Sequence, residues 1–307
     1  MLRFALLRAL SAIPTLLFVI TAAFLMVHAA PGGPFDAERV LPPETAANLR
    51  AAYDLDEPLP LQLARYLGGV LTGNLGPSYF YRDRDVADLI AAALPVSALL
   101  AGLATLVALI FGLAAGVAAA LRPNTLADRL ITGMAMTGIS VPVFVVAPVL
   151  VLAFAVHLHW LPASWSGGGA GERLVLPVIA LALPHIAFLA RISRGSLIEV
   201  LSADFVRAAR AQGLGTAAIL RAHACKPALL PVISYLGPAL AGVLTGAVVV
   251  EAVFGIPGLG QLFVRSGLNR DYTLVLGIVV FYGAVIILLN LAVDLAYGWL
   301  DPRIRAR

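Results

Sequence analysis

Six stretches of this 307-residue sequence run for 17 residues or more without an Asp, Glu, Lys or Arg. They lie between Arg8 and Asp36, Asp88 and Arg122, Arg129 and Glu172, Arg173 and Arg191, Lys226 and Glu251, and Asp271 and Asp294. A helix rising about 1.5 Å per residue needs roughly 20 apolar residues to cross about 30 Å of hydrocarbon. The gaps therefore predict an all-α, polytopic membrane protein with six transmembrane helices, near 9–30, 94–121, 131–156, 174–192, 228–250 and 273–298. Composition agrees, because soluble chains carry about 25% charged residues and this one carries 12%, with a mean hydropathy of +0.94. A cytosolic enzyme is excluded. The single cysteine, Cys225, excludes an intramolecular disulfide and a thiolate metal cluster built by this chain alone. A net charge of +4 scattered between apolar spans is no footprint for nucleic acid.

With six crossings both ends fall on one side, and the Lys/Arg bias chooses it. Termini in the cytoplasm put 13 basic residues inside and 8 outside, most of the latter in a long first loop where the rule is weak. The expected topology is N-in, C-in. The chain then parses into a cytoplasmic N-terminus and first span (1–30), an external loop (31–93), a five-span transmembrane domain (94–300) and a cytoplasmic tail (301–307). Residues 9–30 read as a retained span, since the apolar stretch is about twice a leader's usual length and lacks a small-x-small exit. In the external loop Leu59, Leu63, Tyr66, Leu67 and Val70 recur at helical spacing, predicting a short amphipathic helix. Asn74, Gly76 and Pro77 mark a turn after it.

Several chemistries have no carrier. There is no phosphate-binding Gly-rich loop ending in Lys-Ser/Thr, and the lone lysine, Lys226, sits in Ala-Cys-Lys-Pro. No catalytic residues, bound cofactor or metal site are expected of this chain. His157 and His159, two apart, point to different helix faces and with Trp160 and Trp165 suit an interfacial anchor. Ion-coupled carriers keep charge inside the membrane. The one candidate, Asp294, has Asn290 and Tyr297 on its face near the end of the last helix and reads as a structural pairing.

Two polar segments remain. Between the fourth and fifth spans a loop at 193–227 is too rich for a connector. Within it Ser202 or Asp204 can cap a short helix through Phe205, Arg207, Ala208, Ala209 and Arg210, and Gly213 can end it in a left-handed turn. Small alanines admit a partner's surface, and Arg207 and Arg210, three apart, share a face for its carboxylates or carbonyls. Anionic lipid is the competing use of such a helix. On the opposite side Glu251, Gly255, Pro257, Gly258 and Gly260 fall in a run that reads as non-helical throughout, suited to an outer gate and docking surface or to a plain turn.

The string Asp204-Phe-Val-Arg-Ala-Ala-Arg-Ala-Gln-Gly213-Leu resembles the coupling loop of permease subunits of binding-protein-dependent ABC importers, in the peptide/nickel branch. Arg207 stands where the wider superfamily has Glu, while Ala208, Ala209 and Gly213 match. Gly73-Asn-Leu-Gly-Pro-Ser, Glu251-Ala-Val-Phe-Gly-Ile-Pro-Gly-Leu-Gly-Gln and Leu300-Asp-Pro-Arg-Ile-Arg extend the likeness, which is most similar to B-type oligopeptide permease subunits. The resemblance implies a type I, MetI-like architecture in a bacterial inner membrane. It also implies a second, homologous permease subunit, two cytoplasmic ATPase subunits that carry ATP and Mg, an external substrate-binding protein and a peptide cargo. Dipeptide or nickel transport in the same branch stays open, as does an autonomous channel or ion-coupled carrier.

Overall fold

The computed structural model describes residues 2–30, 55–169 and 171–300, and these residues are almost entirely helical. Helix α1 is Leu2–Ala29, α2 Leu59–Leu71, α3 Val86–Leu121, α4 Leu126–Ser140 and α5 Val143–Leu150, which widens into a π-helix over Val151–His157. Then come α6 (Glu172–Ser202), α7 (Asp204–Ala211), and α8 (Thr216–Ile219), which runs through a π-helical turn, Leu220–Ala224, into α9 (Cys225–Phe254). Helices α10 (Leu259–Leu268) and α11 (Tyr272–Leu300) complete it. Five helices are long and apolar enough to cross a membrane, or six if α4 and α5 with its π segment count as one broken span.

Three expectations need correction. The span read as continuous over 131–156 is two arms bent by 104°. Pro142 imposes the bend by driving Val141 out of the helical region, to ψ 118°, before Pro142 itself starts the second arm. The fourth span does not stop at 192. Helix α6 runs on to Ser202, with Pro177 and Pro184 inside it, so the polar stretch beginning at Arg191 is its last turns rather than a loop. The non-helical run read at 251–262 shrinks to Gly255–Gly258, because Glu251 belongs to α9 and Gly260 to α10.

The chain divides into two compact units, one made of 1–5, 98–256 and 288–307, the other of 6–97 and 257–287. In the first, α6 lies against α3, α4 and α9. Glycines set the approach: a Cβ on Gly112 would sit 2.7 Å from Leu189 Cβ, one on Gly116 1.9 Å from Ser193 Oγ, and one on Gly138 3.0 Å from Ala187 Cβ. Lipid gives helices little hydrophobic reason to associate, so close backbone packing through small residues carries the contact. In the second unit Val86, Ile90 and Ala93 of α3 pack on Leu259 and on Leu274 and Ile278 of α11. The expected amphipathic helix of the external loop is α2. After it Gly73 and Gly76 take φ of 78° and 84°, and Asn74 Oδ1 accepts from the Gly76 N–H at 2.9 Å.

Candidate functional site

Helix α7 is built to present one side. Val206 and Ala209 are buried in a small cluster with Ile219 and Leu201, while Asp204, Phe205, Arg207, Ala208 and Arg210 are exposed. An aromatic ring left 48% exposed beside two arginines is a face without a partner among the described residues. Neither Ser202 nor Asp204 caps the helix. Ala203 holds the N-cap position, Ser202 Oγ donates to the Glu199 carbonyl, and the Asp204 carboxylate pairs with Arg207 one turn on. Arg207 is thus engaged by its own helix, and Arg210 is the exposed cation of the last turn. The stop is as expected: Gly213 sits at φ 84°, its N–H donates to the Arg210 carbonyl at 3.0 Å, and the Leu214 N–H reaches the Ala209 carbonyl at 3.2 Å. That pair of bonds is a Schellman motif, in which only a left-handed residue fits.

Two polar anchors escaped the sequence reading. Asp128, in the first turn of α4, is 2% exposed and accepts from Arg194 of α6 at both oxygens, Nε at 2.5 Å and Nη2 at 2.8 Å, and from the Asn124 N–H at 2.8 Å. Thr125, three residues before it, is the N-cap, so the spacing of a capping pair was there to be read. The other is Asp271, ahead of α11. Its carboxylate accepts from the Ser78 hydroxyl and from the N–H groups of Tyr79 at 3.0 Å and Leu274 at 3.2 Å, hanging the 78–81 turn on the start of α11.

At the Gly255–Gly258 break, Gly255 ends α9 in the left-handed region, at φ 65°, and the Ile256 N–H donates to the Glu251 carbonyl at 2.9 Å. Glu251 is fully buried. Helix α10 begins where Ser97 Oγ accepts from the Leu259 N–H at 2.8 Å. Pro257 and Gly258 border a cavity of about 290 Å³ with Leu89, Gln261 and Arg265. The boundary between the two units falls within this break, at 256/257. Asn290 lies against Gly237 of α9. The side chains of Asp294 and Tyr297, and so the pairing expected of them, lie outside the described residues.

The sequence matches the binding-protein-dependent transport system inner membrane component over residues 108–306, and the N-terminal membrane component of the same systems over 1–101. The chain belongs to this permease family. It is 52% identical over 305 residues to the oligopeptide transport system permease protein OppB of Escherichia coli K12, covering 99% of this chain and all of that one. The dipeptide permease DppB of Bacillus subtilis is 42% identical over 292 residues, 95% of this chain and 94% of that one. The MetNI methionine ABC transporter in an inward-facing form shares the fold, with a TM-score of 0.59 at 18% identity over 69% of this chain and 96% of that one. A multi-pass permease of the MetI-like type follows, and α7 carries the string Asp204–Gly213 that resembles the family's coupling loop.

Proposed function

We propose that this permease forms half of the transmembrane pathway of an ATP-driven oligopeptide importer, with both termini in the cytoplasm. The observation that carries the cargo is identity to oligopeptide permeases from end to end rather than over one motif. A second, homologous permease subunit completes the pathway, an external binding protein delivers peptide, and two ATPase subunits hold ATP and Mg. This chain contributes no ATP site of its own.

Alternating access needs a partner that binds two conformations unequally, since equal binding shifts nothing. Helix α7 is the part of this chain that takes that push: its inner side is locked on Ile219 and Leu201, and its outer side offers Phe205, Ala208 and Arg210. The Gly255–Gly258 break serves as the outer gate and as part of the dock for the binding protein. Uptake of labelled peptides by the co-purified assembly in vesicles tests this, with ATP and binding protein added or withheld. Accumulation should require both; accumulation by this chain alone sinks the reading. Because a dipeptide permease is 42% identical, dipeptides belong in the same assay as competitors. Displacement by dipeptides but not by longer peptides would move the cargo to that class.

A further inference from the structure

Within the first unit, a cluster of polar and aromatic side chains lies inside the apolar lengths of α6 and α9. His185, near the middle of α6, has its Nδ1 3.2 Å from the hydroxyl of Tyr235 on α9. The Tyr235 ring stacks on Phe188, one turn along α6, with centroids 4.1 Å apart and planes 21° from parallel. One turn further, the Arg191 guanidinium stands 5.1 Å over Phe188. Spacings of three put His185, Phe188 and Arg191 along one side of α6. The cluster is not sealed: His185, Phe188 and Tyr235 are half-buried and Arg191 is exposed.

The face of α9 that carries Tyr235 is not made for lipid. Pro231, Tyr235, Pro238, Gly242 and Thr245 recur at alternating spacings of four and three, which sets them on one stripe. None is Leu, Ile, Val or Phe, the side chains that favour hydrocarbon. Pro238 has no N–H for the Ser234 carbonyl, and Pro231 none for the Pro227 carbonyl. Backbone left open in this way at membrane depth is tolerated where it packs on protein or lines water. Gly242 makes room for the imidazole, since a Cβ there would stand 3.1 Å from His185 Cε1. Ionisable side chains within spans likewise face a bundle interior or a water-filled path.

The His185–Tyr235 pair has a definite hydrogen-bonding sense. In either neutral tautomer, one bond between imidazole and hydroxyl leaves the pair one donor and one acceptor. These are the Tyr235 O–H and Nε2 when Nδ1 carries the proton, and the Nε2–H and the Tyr235 oxygen when it does not. A peptide unit asks for the same two, a donor for its C=O and an acceptor for its N–H. A neighbouring helix has its peptide groups already bonded to one another and makes no use of the pair, whereas an extended peptide brings its own unspent. The match ignores cargo side chains, to which the Phe188–Tyr235 stack offers an apolar surface.

We propose, on the oligopeptide reading above, that this stripe lines the translocation path and that His185 and Tyr235 hold the main chain of the passing peptide at one peptide unit. Uptake by the reconstituted assembly, with ATP and saturating loaded binding protein, tests this with trialanine, trilysine and triglutamate. Tyr235→Phe, which keeps the stack on Phe188, should lower all three roughly fivefold, as loss of one neutral hydrogen bond does. His185→Leu/Tyr235→Phe should cost trialanine roughly twentyfold, but cost its analogue with both amides replaced by esters, which has no main-chain amide N–H, only about fivefold. Each ratio compares one cargo on one binding protein, so the receptor's own preference cancels. Unchanged uptake in Tyr235→Phe overturns the proposal, as does a loss confined to one of the three peptides or an equal loss for amide and ester. Loss of the second permease subunit from the purified variant assembly would make the pair an interface contact and also overturns it. No peptide uptake by the unaltered assembly would bring down the oligopeptide reading itself, and the main-chain contact with it.

Discussion

Asp271 shows how much one side chain holds at the end of the bundle where α11 begins. It is fully buried, and its oxygens receive the Ser78 hydroxyl and three backbone N–H groups, those of Tyr79, Phe80 and Leu274. Buried donors left without acceptors cost about 1–3 kcal/mol each. Asp271→Ala should therefore destabilise the protein by about 3 kcal/mol or more, and Asp271→Asn, which keeps one acceptor oxygen, by less. Thermal unfolding of the solubilised permease reads the difference, and hydrogen exchange at 78–81 should rise in the same order; equal behaviour of the two variants would remove Asp271 from this role. Neither this anchor nor the Asp128–Arg194 pair was legible as a contact, because the partners stand 193 and 66 residues apart and charge spacing reports only neighbours. What could be read was each acid's local duty at a helix start: Asp271 just before α11, Asp128 three after Thr125.

At the scale of an element, α7 divides its work between two faces. Val206 and Ala209 hold it to the chain, so removing Arg207 and Arg210 on the exposed face should leave the protein folded and in the membrane. The Arg207→Ala/Arg210→Ala variant is expected to lower peptide uptake at least about tenfold, by loss of charge-assisted contacts, while ATP hydrolysis by the assembly persists; normal uptake refutes the lever. Helix contact within the bundle gives a different forecast. A Cβ at Gly116 would stand 1.9 Å from Ser193 Oγ and 2.6 Å from the Ala190 carbonyl oxygen. Gly116→Ala should cost about 1–3 kcal/mol by overpacking, seen as a lower thermal midpoint, whereas Gly133→Ala, with nothing within 4 Å, should be nearly neutral. The spans themselves were legible because hydrocarbon excludes charge. Their ends and bends were less so. Hydropathy is blind to backbone direction, so the turn at Pro142 was averaged into one span, and it equates helix end with membrane end, so α6 was cut at 192 although its hydrogen bonds continue to Ser202.

For the whole molecule the proposed coupling through α7 requires one thing of the topology: α7 must be on the cytoplasmic side. Six crossings, with the bent α4–α5 pair counted as one span, would tie that location to both termini, so a single vectorial measurement decides all three. The sequence contains one cysteine, Cys225, and it is exposed at the first residue of α9, at the end of that helix nearer to α7 in sequence. No cysteine has to be introduced or removed to use it. A membrane-impermeant thiol reagent added to intact cells stripped of their outer layers should leave the permease unlabelled, and the same reagent added after the membrane is opened should label it fully. Labelling of intact cells would put α7 outside, where no ATPase could reach it. The basic residues clustered near the ends of α6 and α9 would then stand on the side that the positive-inside rule disfavours, and the borrowed motor would have to be replaced by another source of energy.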